Sequence, residues 1–223
     1  MSARDNMLSK IRATMGSPAS DADRRRTVTA RLATAPKGII PDRAQLPEAE
    51  KVDLFCTMAE QFGATLARVN DYGDVASEVS GYLRARNLPA AIRRGADARL
   101  DKAGWETEKN LEIRHGASDG ADLAGVSHAT AGIAETGTVA MMSGQDNPTT
   151  INFLPEHHIV VLKAADIKGD MESVWAMVRE NKGKSEMPRA LNLITGPSRS
   201  GDIEQTILLG AHGPRALHVI VVE

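Results

Sequence analysis

The sequence predicts an α/β fold with a mostly parallel sheet, on three observations. Two apolar runs, Leu191–Thr195 and Ala216–Val222, are nearly continuous in Leu, Ile and Val, as strands covered on both faces require. From Glu48 onward, helical and strand periodicities keep trading places, which argues for α/β over segregated α+β. Apolar residues make up 42% of the 223 residues but aromatics only 3%, so a sizeable core must be built from Ala, Val, Ile, Leu and Met.

Taken in order, Asp5–Met15 carries Met7, Leu8, Ile11 and Met15 at helical spacing, and Arg24–Ala35 fits a second short helix. Pro36–Pro47 is a Pro-punctuated connector, so residues 1–47 read as an N-terminal helical arm and 48–223 as the α/β domain. The arm wraps on the body or on another subunit, which leaves self-association open. Within the domain, a helix through Leu54, Met58 and Phe62 ends at Gly63, and a strand follows at Ala64–Val69. Asp74 caps a helix bearing Val75, Val79 and Leu83. Strands are expected at Leu88–Ile92, Lys109–Arg114, Ala131–Ala134, Thr138–Met142 and His157–Lys163, with one helical turn in Asn147–Leu154 and an amphipathic helix over Asp170–Asn181. Asp202–Leu208 reads as a short helix ended by Gly210. It would join the two apolar runs in a βαβ crossover and put Gly196–Asp202 at the carboxyl end of a strand, where open α/β sheets bind ligands.

The formal charge of −2 gives no global reason to expect nucleic acid or an anionic membrane as partner. No apolar run approaches the ~18 residues of a membrane span. MSARDNMLSKIRATMG lacks the apolar core of a signal peptide, so the cytoplasm is the expected compartment. Cys56 is the single cysteine, which rules out an internal disulfide, a Cys-based zinc site and a Cys-ligated iron–sulfur cluster within the chain. Packed beside Leu54, Phe55 and Met58, it reads as a structural thiol.

Three motifs in order carry a resemblance: AGIAETGTVAM, INFLPEHHIVVL and ITGPSRSGDIEQTILLGAHGPRALHVIVV. Together they resemble the LUD-domain family, that of lactate-utilisation protein C, strongly over roughly the last hundred residues and less securely back toward Glu48. The resemblance implies a three-layer α/β sandwich like that of CoA transferases, ribose-5-phosphate isomerase and formyltetrahydrofolate cyclo-ligase. It also implies a part in converting L-lactate to pyruvate as an accessory subunit. No cofactor is then bound by this chain, and iron–sulfur clusters are expected on partner subunits. An independent enzyme acting on an anionic metabolite, and a non-catalytic regulatory or assembly protein, are the competing classes.

The candidate chemistry gathers in two places. In Gly196-Pro197-Ser198-Arg199-Ser200-Gly201-Asp202, glycines and small hydroxyls before a helix would turn backbone N–H groups toward a small carboxylate or phosphate, and Arg199 would pair with it. The plainer reading makes Ser198 or Ser200 a helix cap, with Asp202 and Glu204 complementing the helix dipole. In Glu135-Thr136-Gly137, an acid sits in a turn between buried strands where Asn or Asp would better serve a hairpin. Glu135 is therefore the candidate catalytic carboxylate, a base or substrate-orienting group, with Thr136, Gly137 and Thr138 beside it; the alternative is an acid satisfying the N–H groups of its own turn. His128, His157 and His212 are further candidates. One of His157 and His158 should face inward. His212 precedes the last strand, which in a parallel sheet would set it opposite the Gly196 loop. No metal site, Gly-x-Ser-x-Gly elbow or Gly-x-Gly-x-x-Gly nucleotide motif is present.

Overall fold

The computed structural model describes residues 2–15, 21–183, 186–203 and 206–223, the side chains from 202 to 207 excepted. Two compact units divide the chain, Met1–Ile39 and Ile40–Glu223. The first holds α1 (Ala3–Thr14) and α2 (Asp21–Thr34). Ser2 starts α1 with a capping box: its hydroxyl accepts the Asp5 N–H, and the Asp5 carboxylate accepts the Ser2 N–H.

The second unit runs α3 (Glu48–Gln61), β1 (Thr65–Val69), α4 (Val75–Ala85), β2 (Ala91–Arg94), β3 (Glu112–His115), β4 (Ala124–His128), β5 (Ala131–Ile133) and β6 (Thr138–Met142). It continues with α5 (Thr149–Phe153), β7 (His157–Lys163), β8 (Ile167–Lys168), α6 (Met171–Lys182), β9 (Leu191–Ile194), β10 (Arg199–Ile203), β11 (Thr206–Leu209) and β12 (Ala216–Val222). Six strands form an all-parallel sheet in the order β1-β12-β7-β4-β2-β3. A four-stranded sheet, β8-β5-β6-β9, is mixed, and β10 and β11 form a two-stranded sheet.

The apolar runs of β7 and β12 are continuous because both faces of the large sheet are buried; the run Leu191–Thr195, expected to be covered on both faces, lies in the small sheet as β9 and is only partly buried, with Leu193 exposed. On β12, Leu217, Val219 and Val221 point to one core and Ile220 and Val222 to the other; on β7, Val160 and Leu162 oppose Ile159 and Val161. One face packs on α4 through Val75, Val79 and Leu83. The other packs on α3, through Val52, Phe55 and Ala59, and on the second sheet, through Val139 and Met141. Beyond that sheet, Val174 of α6 covers Ala131, Ile133 and Ala140. The α/β class with a mostly parallel sheet is as predicted. Cys56 is half-buried against the α3 core, and burial pushes its thiol pKa up.

Several expectations need correction. The helix expected over Asp202–Leu208 is instead an antiparallel hairpin, with Arg199 opposite Leu209, Ser200 opposite Leu208 and Ile203 opposite Thr206. Thr206-Ile207-Leu208-Leu209 is a β-prone run, and the ladder satisfies its backbone where a helix would need a buried face. Consequently no βαβ crossover joins the two apolar runs: β9 pairs with β6 in the small sheet, and β12 lies between β1 and β7 in the large one. The strand expected at Leu88–Ile92 starts only after Pro89, at Ala91. The next, expected over Lys109–Arg114, occupies Glu112–His115. The strand β4 was not expected. Its Ala-Gly-Val-Ser-His reads as polar and small, yet every residue is buried, and a side chain at Gly125 would strike Ile151 and Pro155. Asp74 occupies the position preceding α4 but makes no side-chain cap; Asp71 accepts the Gly73 N–H just before it.

Candidate functional site

The loop leaving β9 is fixed from three sides. Gly196 has φ +73°, and any Cβ there would run into the Phe62 carbonyl at the end of α3, so only glycine fits. Arg199 closes the same corner by donating from Nη2 to the Phe62 carbonyl at 3.0 Å. The segment Gly210–Pro214 is stitched alongside: Ser198 N–H donates to Pro214 O at 2.8 Å, Gly210 N–H to Ser198 O at 3.0 Å, and His212 N–H to Ser198 Oγ at 3.3 Å. Accepting from His212 leaves the Ser198 hydroxyl hydrogen free to donate. Sequence polarity had set His212 opposite this loop. The premise fails because β9 and β12 belong to different sheets, so His212 and Ser198 stand together.

These loops roof a cavity of about 310 Å³ bordered by Asn152, His158, Thr195, Ser198, Arg199 and His212. Phe153, Leu193, Ile194 and Leu217 also line it, and beneath it Asn152 and His158, with Ser127 behind them, are each at most 2% exposed. The Ser127 hydroxyl donates to Asn152 Oδ1 at 3.0 Å and also lies 3.0 Å from His158 Nε2. The Ser127 hydroxyl thus links the Asn152 amide and the His158 ring into one buried network. His158 Nδ1 and Asn152 Nδ2 have no hydrogen-bond partner. Complete burial drives the His158 pKa down to about 3, keeping the imidazole neutral at any ordinary pH.

The Glu135 turn meets this loop only in part. Thr136 Oγ1 bonds Thr138 Oγ1 at 2.8 Å, and Thr138 Oγ1 bonds Thr195 Oγ1 at 2.6 Å, so a chain of hydroxyls runs from the turn to the cavity rim. Glu135 itself faces elsewhere. Its carboxylate accepts the Met171 N–H at 2.9 Å in the first turn of α6, and its own N–H donates to Gly169 O at 3.0 Å. A carboxylate at a helix N-terminus is stabilised by the local N–H groups and the dipole, which explains a Glu where a hairpin would take Asn or Asp. Gly137 has φ +62°, and a Cβ there would collide with the α3 backbone at Met58 and Ala59. The candidate catalytic acid is therefore bonded to the start of α6, neither to its own turn nor to the Gly196 loop.

The other candidates are placed as follows. His128 ends β4, 1% exposed: Nδ1–H donates to Ala129 O at 2.7 Å and Nε2 accepts from Tyr72 OH at 2.8 Å. His157 Nδ1 pairs with Tyr82 OH at 2.9 Å on the α4 side, while His158 turns into the cavity floor, the inward member of the pair. Asp202 lies in β10, so it starts no helix; its side chain, with residues 204 and 205, is outside the described residues. Among the described residues no three of His, Cys, Asp and Glu gather closely enough to hold a metal ion, and no helix is long and apolar enough to cross a membrane. Sequence reading missed Ser127, Asn152 and His158 as a group. Only the alternation along β7, one histidine in and one out, hinted at it.

Residues 45–222 match the family model of the LUD domain. Lactate utilization protein C of Geobacillus sp. (strain WCH70) is 35% identical over 117 residues, covering 52% of this chain and 46% of that protein. The protein of the same name from Geobacillus kaustophilus is 29% identical over 177 residues, 75% of this chain and 71% of its own length. The matches reach about half the length of several such relatives, 43% for that of Shouchella clausii. Among solved structures, a DUF162 family protein from Deinococcus radiodurans superimposes with a TM-score of 0.57 at 25% identity, covering 80% of this chain and 99% of that one.

Proposed function

This chain belongs to the LUD-domain family, and on that premise we propose that it serves lactate utilisation as an accessory subunit. In this reading it holds a small carboxylate in the cavity beneath the Gly196 loop, and iron–sulfur centres sit on separate subunits. The observation that carries the reading is the cavity itself: a free Ser198 hydroxyl hydrogen and the Arg199 guanidinium at its border, above a floor with unused hydrogen-bonding capacity. A volume of about 310 Å³ is ample for a three-carbon acid and its water. The names of the relatives point to lactate as the acid. With Cys56 as the single thiol in the sequence, cysteine-ligated clusters would belong to other polypeptides.

Glu135 takes no chemical part in this proposal. Its bond to the Met171 N–H gives it a structural task, and a nucleophile or base role as in CoA transferases has no geometric support. Two measurements test the reading. L-lactate should raise the melting temperature of the purified chain, since a ligand of the folded state must stabilise it, and Arg199→Ala should weaken that effect. The tagged chain should capture cysteine-rich iron–sulfur proteins encoded beside it. Failure of every small carboxylate to stabilise the chain would remove the ligand from the proposal; failure of capture would remove the partners.

A further inference from the structure

The cavity is larger and more apolar than a three-carbon acid needs. Its volume of about 310 Å³ reaches the range of pockets that enclose drug-sized molecules, about 300–1,000 Å³. Beside the polar rim of Thr195, Ser198 and Arg199, its lining includes Phe153, Leu193, Ile194 and Leu217. A second hollow, of about 430 Å³, adjoins it: Phe153, His212 and Gly213 border both, and Leu154 and Leu209 extend the apolar wall. Among the described residues of Ile40–Glu223, eight large apolar side chains are exposed, and four of them, Phe153, Leu154, Leu193 and Leu209, line these two hollows. Single exposed leucines need no explanation, but half of them gathered round one site do. We propose that the site takes a monocarboxylic acid with an apolar tail of medium length. The carboxylate meets Ser198 and Arg199, and the tail runs along Phe153 and Leu193, over Leu217, to lie beside Leu154 and Leu209 in the second hollow.

Charge and polarity decide which end of the acid goes where. Arg199 spends one N–H on the Phe62 carbonyl and, being exposed, keeps others for an anion. In the second hollow, Glu156 and Arg215 face each other at 3.7 Å, which leaves it without net charge to hold an ionised group. The wall between the two is a fixed part of the fold: Leu217 belongs to the main core and Ile194 packs against it. A lactate-sized ligand leaves Phe153, Leu154 and Leu209 in water. A tail covers them, and each methylene it buries strengthens binding about fourfold.

This inference rests on the cavity being a carboxylate site, and the experiment separates the two. Isothermal titration of the full chain with acetate, butyrate, hexanoate and octanoate should show affinity rising with length, hexanoate binding about fifteenfold more tightly than butyrate. Leu193→Thr and Leu209→Thr, at exposed strand positions that suit threonine, should each flatten that rise. Because either variant can disturb the fold, NMR of the unmutated chain reads the contact directly: the terminal methyl of hexanoate should give nuclear Overhauser contacts to the Phe153 ring. Equal affinities across the series, with no contact to Phe153, overturn the tail site and leave the carboxylate reading standing. A rise that both variants leave unchanged, with the methyl in contact elsewhere, puts the tail outside these hollows and overturns the inference as well. Binding of none of these acids, nor of L-lactate, overturns both.

Discussion

Three histidines are locked inside this fold in the neutral form, and acid should unfold it well before its carboxylates titrate. Burial lowers His158 to about 3, burial together with the Arg99 charge lowers His128 to about 4, and burial together with the Arg86 charge lowers His218 to about 4. In the unfolded chain each returns to about 6.5. Below that value the unfolded state binds protons that the folded state refuses. Their contribution to stability is thus complete above pH 6.5 and is lost as pH falls toward the folded values. The three together should cost about 4 kcal/mol per pH unit in this window, or about 6 kcal/mol at pH 5, comparable with the whole stability of an ordinary domain. Carboxylates do not blur the test. Burial works to raise Asp97 and Asp122, but bonds from Arg99 to the first and from Arg93 and Ser118 to the second outweigh it, so both titrate below the ordinary aspartate range. Their contributions persist until pH falls below about 4. Urea unfolding followed by the fluorescence of Trp105 and Trp175 should show midpoints constant above pH 7 and falling steeply from 6.5 to 5. His218→Gln should reduce that slope by about a third. A midpoint unchanged down to pH 5, or NMR titrations placing all three histidines near 6.5, would refute the reasoning.

Other outcomes follow from single contacts. Glu135→Gln keeps an acceptor for the Met171 N–H but removes a negative charge from the start of α6, so it should cost about 1 kcal/mol of stability and leave L-lactate affinity within twofold; a large loss of affinity at unchanged stability would reinstate the acid as a ligand-contacting group. Gly137→Ala should destabilise by about 1–2 kcal/mol from its left-handed backbone alone, and by more through collision with α3, read as a lowered urea midpoint. Phe55→Ala, emptying a fully buried site between α3 and the sheets, should cost about 3–5 kcal/mol in the same assay.

What was legible in the sequence tracks how strongly one residue type dominates a segment. The strands β7 and β12 could be read because both their faces are apolar, and α6 because Val174 and Val178 recur on one side. The strand β4 escaped because its burial is achieved with small residues under α5, and buried Ala and Gly carry no hydrophobic signature. The β10–β11 hairpin reads as a helix in sequence because Ile203, Ile207 and Leu208 also fit helical spacing, and so short a window cannot separate the two periods. At the site, the Gly196 loop stood out through its glycines, serines and arginine. The polar floor did not, since its three members lie far apart in the chain and only the packing of β4, α5 and β7 gathers them.

Ligands in open α/β sheets gather beyond the carboxyl ends of strands, yet this cavity satisfies that rule for one sheet and breaks it for the other. The Gly196 loop does leave the carboxyl end of β9, but it faces His158 and Leu217, each the second residue of its parallel strand. The cavity therefore belongs to the seam where the small sheet overhangs the amino edge of the large one. A seam holds shape only if its two layers are fixed in register. Glu135 ties the β5–β6 turn to α6, Gly137 lets that turn lie against α3, and Thr136, Thr138 and Thr195 carry the connection on to the loop. The two motifs that single this sequence out then have different tasks. Gly-Pro-Ser-Arg shapes the cavity rim, and Glu-Thr-Gly ties that rim to α3 and α6.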